Sequence, residues 1–241
     1  MKKYKYVVGV GCSFTVDPPH DKFEKDGKSY ARLISEHFGA KYYDLADCGF
    51  SMQGMNRRTL KWCSKNKDKF KDTLIILGMT AIHRSEIWSN KLVDTGIAQE
   101  GWTSHVRAYP DEPTHASELK VNWSDEERRN YFINFVDQRA NFLMYTNTII
   151  GLQSFLELND IDHIHCNTLF AVSNYYKLEY KLLFDSLVSY ENWYIHPEYE
   201  TLDGLTSDNP EMRVTETDIH PNKRAHKYWA ECLLEYINER T

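Results

Sequence analysis

Read for its alternation of apolar and polar positions, the chain resolves into strands and helices taken in turn. Residues 4–10 (Tyr-Lys-Tyr-Val-Val-Gly-Val) are β-branched and aromatic with little polar interruption, which predicts a strand buried on both faces of a parallel sheet. Residues 16–28 are polar, carry Pro18-Pro19, and read as a loop. Tyr30, Leu33, Ile34 and Phe38 then fall at helical spacing over residues 29–38, with Gly39 as the stop. A short second strand is expected over 41–46, a basic surface helix over 53–70, and a clear buried strand over 73–77 that ends in the turn Gly78-Met79-Thr80.

Between residues 89 and 125 the period vanishes. This Gly-, Pro-, His- and Trp-bearing stretch reads as an insertion lying over a site, because chains seldom keep so long a loop without use. Ser124-Asp125-Glu126-Glu127 predicts a helix start, its acids complementing the amino-terminal dipole, and the helix should run, broken or not, to about 158. A strand over 161–170, a helix over 175–190, a short strand over 193–196 and a closing helix over 222–238 complete the pattern. Pro221 stands in the first turn of that last helix, and Ala225, Trp229, Cys232, Leu233 and Tyr236 form its apolar face. Strands alternating with helices specify an α/β class: a three-layer α/β/α sandwich with a mostly parallel central sheet, one domain over residues 1–241 with an insertion at about 89–125.

Composition narrows the partners. The 241 residues are 41% hydrophobic and carry a net charge of −6, which argues against a nucleic-acid surface. No run of about 18 apolar residues exists, so no membrane span is expected, and the start lacks a signal-type apolar core. Five scattered cysteines, never in CxxC spacing, favour free thiols in a reducing compartment, so a cytoplasmic protein is expected. A homo-oligomer stays open.

The chemistry sits at the strand ends. Gly11-Cys12-Ser13 is a small-residue turn that leaves the Ser13 hydroxyl at the carboxyl end of the first strand, the edge where open α/β sheets bind ligands. Gly49, Thr80 and His220 follow other strands or precede the last helix and can converge there. Acyl transfer from an ester needs an activated hydroxyl, a base and oxyanion donors. Ser13 supplies the hydroxyl, His220 the base and Asp218 a carboxylate to orient the imidazole. The backbone N–H groups of Ser13 and Gly49 and the Thr80 side chain supply donors.

These pieces resemble the SGNH (GDSL-like) hydrolases. Gly11-Cys12-Ser13-Phe14-Thr15 is similar to their first block, whose serine is the nucleophile. Residues 44–51 (Asp-Leu-Ala-Asp-Cys-Gly-Phe-Ser) are similar to the second block, whose glycine contributes an oxyanion amide. Gly78-Met79-Thr80-Ala81 falls where the third block has Gly-x-Asn-Asp, and Asp218-Ile219-His220-Pro221-Asn222 resembles the fifth. The resemblance spans residues 9–222 and implies a flavodoxin-like α/β/α fold and a serine esterase without cofactor or metal. Its substrate would be a small-molecule or carbohydrate ester, such as an O-acetyl sugar. Two departures stand out. Thr80 replaces the asparagine, and Thr217 occupies the aspartate place of Asp-x-x-His, leaving Asp218 one residue closer. A family member with lost or altered activity, acting as a binding or structural module, is the alternative.

Other residues carry weaker signals. His163 and His165 share one strand face beside Cys166, but no third ligand has convincing spacing, so they read as structural or surface histidines rather than a metal site. Arg84 can bind an anionic or sugar-like substrate group or pair with Glu86. Arg57 and Arg58 read as a solvated helix face. Trp88, Trp102, Tyr109 and Trp123 can stack on a sugar, cover an acyl chain or pack the insertion. Gly9-Val10-Gly11 begins a dinucleotide fingerprint, but Phe14 stands where its third glycine is required.

Overall fold

The computed structural model describes residues 3–17, 27–82, 84, 86–88, 102–104, 124, 126, 130, 138–169 and 181–240. Five parallel strands form the central sheet: β1 (Tyr6–Val10), β2 (Lys41–Asp44), β3 (Thr73–Met79), β6 (Asp162–Asn167) and β7 (Trp193–Tyr194), in the order β2-β1-β3-β6-β7. The helices in chain order are α1 (Tyr30–His37), α2 (Met52–Lys65), α3 (Gln138–Leu158), α4 (Lys181–Leu187), α5 (Leu202–Asp208) and α6 (Lys223–Arg240). Helix α1 packs with α6, and α2 with α3, which makes three α/β/α layers. The core lies between them, with Val7, Val8, Val10 and every residue of β3 buried. A strand covered on both sides must be apolar along its length, and β1 and β3 are.

The chain leaves β1 for β2 on one side and returns to β3 on the other, so connections diverge at the carboxyl ends of β1 and β3. That switch point is where a crevice opens in such sheets. Gly78 admits the close packing there. A Cβ on it would stand 2.3 Å from Thr15 Oγ1 and 2.4 Å from the Tyr30 hydroxyl, two atoms that are themselves 2.9 Å apart.

Several expected boundaries move for local reasons. The helix expected over 53–70 stops at Lys65, because the Asn66 side chain donates to the Trp62 carbonyl at 2.7 Å, and residues Lys67–Asp72 tighten into a 3-10 turn. That helix is not a surface element: Met52, Met55, Thr59, Trp62 and Cys63 are buried at three- and four-residue spacing. β3 continues through Gly78 and Met79, so the turn begins at Thr80. Pro221 lies outside the last helix. Asn222 is its cap, with Oδ1 accepting from the N–H groups of Arg224 and Ala225 at 2.9 and 3.2 Å. α5 was not expected from the pattern; Thr201 caps it by accepting from Gly204 N at 2.8 Å.

Within the aperiodic stretch, β4 (Glu86–Trp88) and β5 (Trp102–Ser104) pair antiparallel. The rest of the insertion, with Tyr109 and Trp123, and the beginnings of two expected helices (residues 125, 127–129 and 131–137 of one, 175–180 of the other) lie outside the described residues. Among the described residues no helix is long and apolar enough to cross a membrane.

Candidate functional site

Ser13 sits in a turn closed by Thr15 N and Val16 N donating to the Cys12 carbonyl at 2.8 and 3.2 Å. The turn is anchored by its neighbours: Cys12, Phe14 and Thr15 are buried, while Ser13 stays partly open. Its Oγ lies 2.9 Å from His220 Nε2, although 207 positions separate the two in sequence. Phe14 packs its ring 5.1 Å from the imidazole, tilted by 40°.

His220 and Asp218 ride on a narrow loop. Val214 N donates to the His220 carbonyl at 2.9 Å, Asn222 N to Met212 at 2.9 Å, and residues 213 and 221 bridge antiparallel. Arg213 ties that loop to the end of α5, its Nε donating to the Thr206 carbonyl at 2.6 Å. Inside the loop, Asp218 Oδ1 accepts from His220 N at 3.0 Å and meets His220 Nδ1 at 2.6 Å. An ionised carboxylate only accepts, so Nδ1 carries the proton and Nε2 presents a lone pair to the Ser13 hydroxyl. Partial burial opposes charge on Asp218, but the backbone and ring N–H groups of His220 outweigh it and hold the carboxyl below its ordinary value. Thr217, at the place where the related pattern has aspartate, instead lies 3.4 Å from the Thr215 hydroxyl within the same loop.

Two amides complete the geometry. Gly49 adopts φ of 70°, a left-handed value that a side chain would strain, in a turn closed by Phe50 N on the Asp47 carbonyl at 3.2 Å. Asp47 N donates to the Gly11 carbonyl at 3.1 Å, which draws this loop against the Ser13 turn. Among the described residues neither Ser13 N nor Gly49 N finds an acceptor. Two unspent donors at one sheet edge suit a developing oxyanion.

Thr80 follows the last residue of β3. β1 pairs with β3 through Val10 and Leu77, so Ser13 and Thr80 follow the carboxyl ends of neighbouring strands. Thr80 is fully buried, and its Oγ1 accepts from Arg84 Nη1 at 3.0 Å, so its hydroxyl faces a guanidinium rather than solvent. Arg84 is itself only 6% exposed, and its expected pairing with Glu86 involves a side chain outside the described residues. Trp102 stands opposite Trp88 in the β4–β5 register; its side chain lies outside the described residues, as does that of Glu86.

Arg58 is where the sequence reading misplaced a residue. Rather than facing solvent, it pairs with Asp47 at 2.6 Å, lies 4.4 Å over the Phe50 ring and donates to the Leu45 and Ala46 carbonyls at 3.3 and 3.4 Å. It therefore braces both ends of the loop that carries Gly49. His163 and His165 are both buried, 5.4 Å apart, with His165 stacked on Trp193. Among the described residues no group of three or more histidines, cysteines or acids could hold a metal ion.

No family model and no curated protein matches the chain. Solved structures do. A carbohydrate esterase whose active site is described as having divergent catalytic and non-catalytic binding functions aligns over 99% of this chain and 69% of its own, at 13% identity and a TM-score of 0.48. The YxiM protein of Bacillus subtilis aligns over 100% of this chain at 13% identity and a TM-score of 0.50. This chain spans only 57% of YxiM. At such identity the likeness to YxiM is one of fold alone.

Proposed function

We propose that this chain is a serine esterase of the SGNH kind. Ser13 is the nucleophile, His220 the general base and Asp218 the group that orients and charges the imidazole. One observation carries the reading: a hydrogen-bonded relay Ser13–His220–Asp218 assembled from opposite ends of the sequence at a sheet switch point.

In this reaction Ser13 Oγ attacks the acyl carbon as its proton passes to His220 Nε2. The amides of Ser13 and Gly49 take the oxyanion; Thr80, bound to Arg84, supports the wall beside them. The tetrahedral species collapses, the C–O bond to the alcohol breaks, and His220 returns its proton to the leaving oxygen. Water, deprotonated by the same nitrogen, then attacks the acyl-serine and releases the acid. An O-acetyl group on a carbohydrate is a substrate of suitable chemistry for so open a site, in which the Asp218 and His220 side chains are 47% and 44% exposed.

The test is release of nitrophenol from short-chain 4-nitrophenyl esters, together with labelling of Ser13 by an alkyl fluorophosphonate. Turnover and labelling that both vanish in Ser13→Ala support the proposal. Turnover unchanged in that variant, or none in the unmodified protein, rejects it in favour of a binding or structural module on the same fold.

A further inference from the structure

Arg84 is a charge that the esterase reading leaves without a task. Its guanidinium is nearly sealed from water and makes one side-chain hydrogen bond, to a neutral hydroxyl, Thr80 Oγ1. Its Nε is buried with no partner, and among the described residues no carboxylate stands within ion-pair distance of it. A guanidinium stripped of water and given no counter-charge is unfavourable, and folds keep such groups where an anion arrives to complete them.

The surroundings hold the group in place rather than letting it swing to solvent. Arg84 N donates to the Ala81 carbonyl at 3.2 Å, a tight turn that folds the side chain back onto Thr80. Tyr145, from α3, donates its hydroxyl to the Thr80 carbonyl at 2.9 Å and pins the other side. Thr80 thus serves as a mount. β3, which leads into Thr80 at its carboxyl end, neighbours β1, which leads into Ser13 at its own, so mount and nucleophile belong to the same sheet edge.

We infer that Arg84 selects esters bearing an anionic group, a carboxylate, sulfate or phosphate, close to the scissile bond. The inference rests on the esterase reading and names its substrate class. The chain as a whole carries a net charge of −6 and should repel anions, so a preference for them must arise from a local cation.

The experiment compares kcat/KM for 4-nitrophenyl acetate with that for mono-4-nitrophenyl succinate, which adds one carboxylate. The unmodified protein should favour the succinate ester by roughly tenfold or more, the scale of a charge-assisted hydrogen bond, and chiefly through KM. Arg84→Met should bring the ratio to about one whatever its absolute rates, and Arg84→Lys should restore part of it. Should Arg84→Met not fold, the unmodified protein still decides: free succinate should compete with 4-nitrophenyl acetate while neutral succinamide does not. Equal preference for the two esters, a preference that survives Arg84→Met, or equal inhibition by succinate and succinamide overturns the inference. An equal loss on both esters would place Arg84 at the oxyanion instead and overturn it too. Failure of the esterase reading looks different, because turnover would then be absent or indifferent to Ser13→Ala.

Discussion

Asp218 reaches the imidazole by a shorter route than Asp-x-x-His provides. One carboxylate oxygen receives both the backbone and the ring N–H of His220, so a two-residue spacing closes on itself as a local turn. The Thr215 hydroxyl accepts from Asp218 N at 2.9 Å and holds the start of that turn. The departure that the sequence marks as a possible loss is therefore accommodated by backbone geometry that no residue count displays. Solvent reaches the pair, which weakens its electrostatic share compared with a buried triad. Asp218→Asn should thus lower kcat by roughly 10²-fold, less than the ~10⁴ known for a buried aspartate, with KM little changed. Loss of activity to the Ser13→Ala level would mean that the carboxylate does more than orient the ring, and no loss would remove it from the mechanism.

At the scale of elements, the site is a set of strand ends whose loops are braced from neighbouring helices. The strands were legible because β1 and β3 are buried on both faces and announce themselves as apolar runs. Ser13, Gly49 and His220 were legible because small residues at strand ends and a histidine before the last helix are local signals. Arg58 was not: its partner Asp47 is 11 positions away, and only the fold brings the loop after β2 under the first turns of α2. α5 and the β4–β5 pair escaped for another reason, being too short to complete a period. Arg58→Met keeps the aliphatic stem over Phe50 but removes the ion pair and both carbonyl contacts. It should leave a folded protein whose kcat falls roughly 10-fold with KM near its original value, since a loosened Gly49 amide meets the transition state less well than the substrate. A change confined to KM, or none, would show that the loop holds its shape without the brace.

At the scale of the whole molecule, the first and last helices meet through a buried histidine. His226, on α6, is fully enclosed; its Nδ1 accepts from the first N–H of α1, Tyr30 N, at 3.3 Å, and its ring stacks on Tyr30 at 6.0 Å. Burial pushes its pKa down to about 4, with Asp17 pulling it up and His220 pushing it further down. Burial likewise lowers His163, His165 and His196. A histidine held neutral in the fold but free to protonate when unfolded costs nothing above its ordinary value near 6.5. Below that value the unfolded chain binds the extra proton, so stability falls until the folded pKa is reached. For His226 the window runs from about 6.5 to about 4 and the full loss is about 3 kcal/mol. The net charge of −6 at pH 7 works the opposite way down to the isoelectric point near 5.9, since acid there relieves self-repulsion, so a decline between pH 7.5 and 6.0 reports the buried histidines. Urea unfolding at pH 7.5, 6.0 and 5.0 should show stability dropping on each step. His226→Asn retains an acceptor near the place of Nδ1; it should be less stable at pH 7.5, where packing is lost, yet decline less steeply with acid. An unchanged slope in that variant would assign the acid sensitivity elsewhere and show that the α1–α6 contact does not titrate.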